Sequence, residues 1–404
     1  MEREWVACTY TILPWRQQIR AGSKEDRMVR SIRTCIPAEI ATRTFTLGSE
    51  LVTRSESAVK AISNLDSAHG EVLKSLDRLL IRTESVASSK IEDLSATSEE
   101  YARALYGNKS NSSAVAMVAG TNALSGLIAS VGITGKITEM AIKTAHHTLM
   151  KDVPREQVSA GHYRRVQNWI GGNNHSPLGA IFIPPPPENV KQLMKDLLLF
   201  ANRNDVPVLA QVAITHAQFE TIHPFTDGNG RIGRALVNAI LRRREITTRV
   251  VVPIASYLVA NKKAYFDDLD GYRHGHSEAL LGRFISAADI ASVEAGKTAT
   301  TLSQFPAMWR EKLGRVRSQG STLQLLELLM SYPVFSVQEL IGLMRKNPTS
   351  IYNAISRLHR AEIIAPLSER KRNQIWGVVD LLQELENLDH RIAIRGSLQL
   401  EISG

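Results

Sequence analysis

Cysteine is nearly absent from this 404-residue chain: Cys8 and Cys35 are the only two. They show no CxxC spacing, so the sequence suggests neither a disulfide framework nor a thiolate metal site, and a reducing cytoplasm is the expected compartment. The N-terminal stretch MEREWVACTYTILPWRQQIR lacks the unbroken apolar core of a signal peptide, so export is not expected. Aromatic residues make up 6% of the chain. Charge is absent from Ser110 to Gly135, but that stretch is built from Ala, Gly, Ser, Thr and Asn with few large apolar residues. It reads as a tightly packed helix pair rather than a membrane span, and no membrane partner is expected. A Walker loop, GxxxxGK[ST], is also missing.

What is present suits a soluble protein of two or three domains: 43% hydrophobic and 22% charged residues, with a net charge of +9 that permits contact with a polyanion. Residues 1–40 show no sustained period and are assigned no structure. From 41 to 295 helical spacing dominates, as in Leu73, Leu76, Leu79 and Leu80. Residues 161–183 break that pattern. Gly-Gly-Asn-Asn between two apolar runs, followed by four prolines, predicts a β-hairpin ended by a rigid connector.

Residues 296–320 are polar and basic and read as a connector to a second domain over 321–404. There Ser336 and Glu339 predict a capping box, and Asn347-Pro348 an N-cap with a first-turn proline. Ile351, Ile355 and Leu358 mark the buried stripe of the last helix, leaving Thr349, Tyr352, Asn353, Ser356, Arg357 and Arg360 outward. Two short strands then flank the basic turn SERKRN. The order is that of a winged helix-turn-helix, which serves either DNA or protein docking.

The densest chemistry lies in HPFTDGNGR, residues 223–231, which continues as IGR to Arg234. His223 precedes a proline and so leaves helical geometry. Gly228 and Gly230 permit a tight loop, and a helix restarts at Arg231. Such a loop aims backbone N–H groups at one point, where the helix dipole also favours negative charge. Arg231 and Arg234, three apart, can reach one polyphosphate. Asp227 supplies a hard oxygen for Mg²⁺, and His223 can accept a proton near neutral pH. His146-His147 and the pair His274, His276 lack nearby Cys or spaced acids and read as solvated or helix-surface histidines.

His223-Pro-Phe-Thr-Asp-Gly-Asn-Gly-Arg-Ile-Gly-Arg234 resembles the HPFx[D/E]GNGRxxR signature of the Fic (filamentation induced by cAMP) family at every position. HAQFETI, NWIGG, FIPPPP and AYFDDL are similar to it as well. The resemblance implies a mainly α protein, with a Fic-type helical domain and β-hairpin flap beside the winged helix. It implies a protein adenylyltransferase that moves AMP from ATP to a hydroxyl of a target protein. In that scheme His223 is the base, and Asp227 holds Mg²⁺. Gly228, Asn229 and Gly230 form the phosphate nest with Arg231 and Arg234, Phe225 anchors the core, and Tyr265 and Phe266 lie near the adenine.

Upstream, SSKIED resembles the family's inhibitory [S/T]xxxE[G/N] helix, with Ser88 and Glu92 in place and Asp93 where Gly or Asn is usual. The resemblance implies that Glu92 occupies the Arg234 guanidinium and so restrains transfer. The competing expectation is a winged-helix transcriptional regulator in which the Fic domain senses nucleotide. A homodimer is compatible with either.

Overall fold

The computed structural model describes residues 5–17, 21–44, 46–67, 73–315, 320–367 and 374–403. In chain order the elements begin with β1 (Thr9–Pro14), α1 (Lys24–Met28) and β2 (Ser31–Ile36). Helices α2 (Ser49–Ser67), α3 (Leu73–Ile91), α4 (Ser98–Leu105), α5 (Ser112–Thr134) and α6 (Glu139–Met150) follow. After a long irregular stretch come α7 (Pro187–Ala201), α8 (Val208–Ile222), α9 (Asn229–Arg243), α10 (Ile254–Ala260), α11 (Lys262–Arg273) and α12 (Glu278–Leu313). The C-terminal elements are α13 (Ser321–Leu329), β3 (Val334–Ser336), α14 (Val337–Met344), α15 (Pro348–Arg360), β4 (Ile364–Pro366), β5 (Ile375–Val378) and α16 (Val379–Ser403). The fold is mainly α, as expected.

The chain divides into two compact units: Met1–Glu56 with Asn122–Ile246 and Lys262–Ser286, and Ser57–Thr121 with Thr247–Asn261 and Ala287–Gly404. The first unit is built around α8, whose residues from Val208 to Ile222 are all buried. Helices α7 and α9 pack against it. Gly233 sets the α8–α9 approach, because a Cβ there would stand 2.3 Å from Glu220 Oε1 and 3.2 Å from His216 Nδ1. Any larger residue would force the Glu220 side chain to move and would press on Phe219 and His216.

Residues 1–40 hold more order than their sequence shows. Strands β1 and β2 pair antiparallel, with Tyr10 opposite Cys35. Asp26 turns its carboxylate toward the 173–176 loop, where Ser176 Oγ donates at 2.6 Å and Asn173 Nδ2 at 2.8 Å. The Ser176 hydroxyl, the Ser23 amide and the Asn173 amide group hold that carboxyl well below the usual range.

The second unit packs α10 between α3 and α16. The Ala255 amide, in the first turn of α10, donates to Glu84 at 2.7 Å, so a buried carboxylate meets the positive end of a helix. The C-terminal sheet has the order β3-β5-β4, with Phe335 opposite Trp376 and Ala365 opposite Gly377. Asn347 caps α15 by accepting from the Ser350 amide at 2.9 Å. Ser336 caps α14 through the Glu339 amide. The reciprocal half of the expected capping box is missing from that cap, because the Glu339 carboxylate accepts from the Tyr106 hydroxyl instead. Ile351, Ile355 and Leu358 are buried, while Thr349, Tyr352, Asn353, Ser356 and Arg360 face solvent. Arg357 is half-buried, donating to the Arg315 carbonyl at 2.6 Å. The basic turn SERKRN lies outside the described residues.

Several expectations need correction. The connector 296–320 is helical as far as Leu313, the end of α12. The uncharged stretch forms one helix, α5, rather than a pair, and by length and composition alone it could cross a membrane. The hairpin over 161–183 reduces to a single bridge between Ile170 and Phe182. Its backbone is held instead by side chains, which a ladder-based reading of the sequence does not see.

Candidate active site

Helix α8 ends at His223, whose backbone is left-handed (φ 50°, ψ 61°) and whose amide donates to the Phe219 carbonyl at 2.9 Å. For a non-glycine residue this conformation costs on the order of 1 kcal/mol and persists only where surroundings fix it. Arg164 supplies that fixation. Its Nε donates to the His223 carbonyl at 2.8 Å, its Nη1 to Val166 O at 3.2 Å, and its Nη2 to Pro185 O. Its own amide donates to Pro224 O at 2.9 Å. Burial lowers the guanidinium only to about 10, so it stays charged at neutral pH.

The loop 224–228 is closed from within. The Phe225 amide donates to Asn229 Oδ1 at 2.8 Å, and Asn229 Nδ2 returns a bond to the Phe225 carbonyl at 2.9 Å. The side chain of Asn229 is therefore a staple, and only its backbone is left for the expected phosphate nest. Helix α9 starts at Asn229, two residues earlier than expected. The amides of Asn229 and Gly230 thus fall in its first turn, where no intrahelical acceptor exists. Gly228 is the left-handed N-cap (φ 74°), and a Cβ there would press within 3.0 Å of Leu149 Cδ2.

Asp227 is exposed. Its Oδ1 accepts from the Gly228 amide and stands 3.8 Å from Arg231 Nη2. Arg231 and Arg234 occupy the first turns of α9, with Arg234 2% exposed. The structure therefore brings His223, Asp227, Gly228, Asn229, Gly230, Arg231 and Arg234 together on one loop and helix start.

His146 was expected on a solvated surface, and it is fully enclosed. Its ring stacks on Phe225 at 3.7 Å and 5°. The Gly161 amide donates to Nδ1 at 2.8 Å, which leaves Nε2 as the protonated nitrogen, donating to the Asp227 carbonyl at 3.0 Å. Burial pushes this imidazole down to about 4, so it is neutral at pH 7. Thr226 is tied down as well, donating to Glu156 at 2.6 Å. Neither contact has a sequence signal beyond the helical spacing of α6.

Tyr265 is fully buried, its hydroxyl 2.7 Å from His216 Nε2, and it belongs to the core against α8 rather than to an open adenine pocket. Phe266 is 44% exposed.

In the second unit, Ser88 is buried in α3, while Glu92 lies just beyond the last helical residue and is exposed. Ser88 therefore lies within the last turns of α3 and Glu92 at its end. Leu94 N donates to Ser89 O at 3.2 Å, Asp93 N donates to Lys90 O at 3.1 Å, and Asp93 has φ 58°. This is a Schellman termination with Glu92 as C-cap. It explains the residue preference after the glutamate: that position needs a left-handed backbone, which Gly and Asn adopt most readily and Asp tolerates.

Residues 136–241 match the family model described as Fic/DOC family. The chain is 32% identical over 146 residues to the protein adenylyltransferase fic-1 of Caenorhabditis elegans, covering 34% of this chain and 27% of that protein. It is 48% identical over 64 residues to a probable protein adenylyltransferase of Aquifex aeolicus, covering 16% and 20%. The chain thus spans about a quarter of the length of these relatives. Among solved structures, a Fic family protein from Desulfovibrio desulfuricans is similar with TM-score 0.52 and 20% identity, over 83% of this chain and 97% of that one. A fragment of C. elegans fic-1 is similar with TM-score 0.51 and 19% identity, over 63% and 74%. The stapled loop at the start of α9, the signature it carries and these likenesses converge on residues 136–241, which are similar to the Fic/DOC family.

Proposed function

We propose that the chain is a protein adenylyltransferase that moves AMP from ATP to a hydroxyl side chain of a target protein. The observation that carries this reading is the loop at the head of α9. A histidine, an exposed carboxylate, first-turn amides and two arginines meet where a polyphosphate is best received. His223 takes the proton of the attacking hydroxyl. The amides of Gly228, Asn229 and Gly230 with Arg231 and Arg234 hold the phosphates and offset charge that develops on them.

Mg²⁺ fits this donor set in one way. Among the described residues no group of three or more His, Cys, Asp or Glu could hold a metal alone, but Mg²⁺ commonly takes one carboxylate and completes its shell with phosphate oxygens and water. Asp227 would be that carboxylate, and the ion would supply charge neutralisation between phosphates.

Restraint of transfer by Glu92 is part of the proposal. Its support is the Schellman end of α3, which holds an exposed carboxylate at a defined C-cap. The test is intact-mass spectrometry after incubation with ATP and Mg²⁺. An AMP adduct that increases in Glu92→Gly and vanishes in His223→Ala is expected. Unmodified chain in every variant, with ATP still bound, refutes transfer and supports a nucleotide sensor. Equal adducts in wild type and Glu92→Gly remove the restraint alone.

A second reading, DNA binding through α15, is favoured by the polar outward face of that helix and its capped N-terminus. Retention of the full chain on duplex DNA that weakens steeply with salt is its signature. Retention indifferent to salt, or none, discards it.

A further inference from the structure

The two cysteines, 27 positions apart in sequence, come together in the fold. Tyr10 pairs with Cys35 across the β1–β2 ladder, so Cys8, two residues earlier, shares a face with Cys35 as its diagonal neighbour. Both backbones are anchored: the Cys8 amide donates to Arg273 O at 2.8 Å and the Cys35 amide to Ile183 O at 2.9 Å. Cys8 is half-buried and Cys35 fully buried. The Arg273 guanidinium, buried and stacked over Phe182 at 3.7 Å, lies in the same cluster.

We propose that Cys8 and Cys35 form a reversible intrachain disulfide that acts on the segment around Phe182 and Ile183. The chemistry divides by exposure. Cys8, the reachable sulfur, attacks a low-molecular-weight disulfide such as oxidised glutathione. An S–S bond forms to Cys8 while one thiolate leaves. Cys35, adjacent and shielded, then loses its proton and attacks the Cys8 sulfur, expelling the second thiolate. The chain gives up two electrons and two protons, and the small disulfide becomes two thiols. The local electrostatics favour this order. Hydrogen bonding from the Cys35 thiol lowers Cys8, opposed by burial and aided by Arg273, whereas Cys35 is pushed up by the same contact and by burial.

Closing the bridge holds the two Cα atoms within roughly 7 Å, so it fixes where Cys35 of β2 sits against the start of β1. Cys35 is also the residue whose amide holds Ile183, next to the Ile170–Phe182 bridge. Oxidation therefore acts on the residue whose amide ties β2 to this segment. The inference does not depend on the transfer reaction.

The test uses the full chain incubated with oxidised glutathione, followed by alkylation and peptide mapping. A Cys8–Cys35 linked peptide with two hydrogens lost, reversed by dithiothreitol, is expected. Cys35→Ser should instead stop at a glutathione adduct on Cys8. An adduct on Cys8 as the end product in wild type, a Cys8–Cys8 dimer, or two thiols still open to alkylation would overturn the proposal. Hydrogen exchange then reads the coupling. The Cys35 amide, the donor of the bond to Ile183 O, should exchange about tenfold faster when oxidised, the change expected for losing one backbone hydrogen bond. Unchanged exchange in the bridged protein overturns the action on that segment.

Discussion

Acidification should loosen the 224–228 loop through His146, and the size of the effect follows from its environment. The imidazole is enclosed, stacked on Phe225, and accepts the Gly161 amide at Nδ1, so a second proton has no place without breaking that bond. Burial takes its folded-state pKa from 6.5 to about 4. Below pH 6.5 the unfolded chain binds a proton that the folded chain refuses, so stability falls as pH falls. The linkage relation gives a loss of about 2 kcal/mol at pH 5 and about 3 kcal/mol near pH 4.

The comparison variant is His146→Gln, which does not titrate yet can still accept from Gly161 and donate to the Asp227 carbonyl. Urea unfolding followed by circular dichroism at pH 7 and pH 5 measures the stability of each. Wild type should lose about 2 kcal/mol more than the variant across that interval, since the remaining groups cancel in the difference. Equal losses would refute the reasoning, because they would mean that His146 accepts its second proton as easily inside the fold as outside.

Arg164→Met should destabilise by about 3 kcal/mol, since it removes charged donors from the His223, Val166 and Pro185 carbonyls and leaves that of Pro185 buried without them. Arg164→Lys should recover less than half of that loss in the same urea assay, because an ammonium cannot serve three divergent acceptors. Asp93→Gly should raise the unfolding midpoint by about 0.5 kcal/mol in stability, relieving the left-handed backbone at the end of α3; a fall would contradict the Schellman assignment. Asp26→Asn should speed proteolytic cleavage within 173–178, since an amide group cannot accept from Asn173 and Ser176 at one atom and from the Ser23 amide at the other, and unchanged cleavage would show that the loop is held elsewhere.

Sequence reading succeeded where the signal is short-range. The reach from His223 to Arg234 is one loop and the first turns of one helix, and its glycines, proline and charges act within that span. Asn347-Pro348 is likewise a local cap, and the structure forms it. Reading failed where a residue's role depends on a distant partner. His146 looked like surface because nothing in α6 announces that Phe225 and Asp227 will close over it. The hairpin was expected from two apolar runs around turn residues, yet Arg164 and, from far upstream, Asp26 bind its backbone and loop. Cys8 and Cys35 carried no motif, and only the ladder register makes them neighbours. Asp93 was an anomaly in the motif until its φ showed that backbone shape, rather than side-chain chemistry, is what the position requires.

The reach of Asp26 also bears on where this domain should be cut. The family match begins at residue 136, but the 173–176 loop is bound to a carboxylate at 26, and Gln218 of α8 donates to Ala38 O at 2.8 Å while accepting from the Tyr272 hydroxyl at 2.8 Å. A fragment trimmed to 136–241 would keep the whole signature and lose the groups that hold its second layer in place. A fragment that keeps these bonds has to reach back to Asp26 and forward to Tyr272. The recognisable stretch is a marker inside that span rather than its outline.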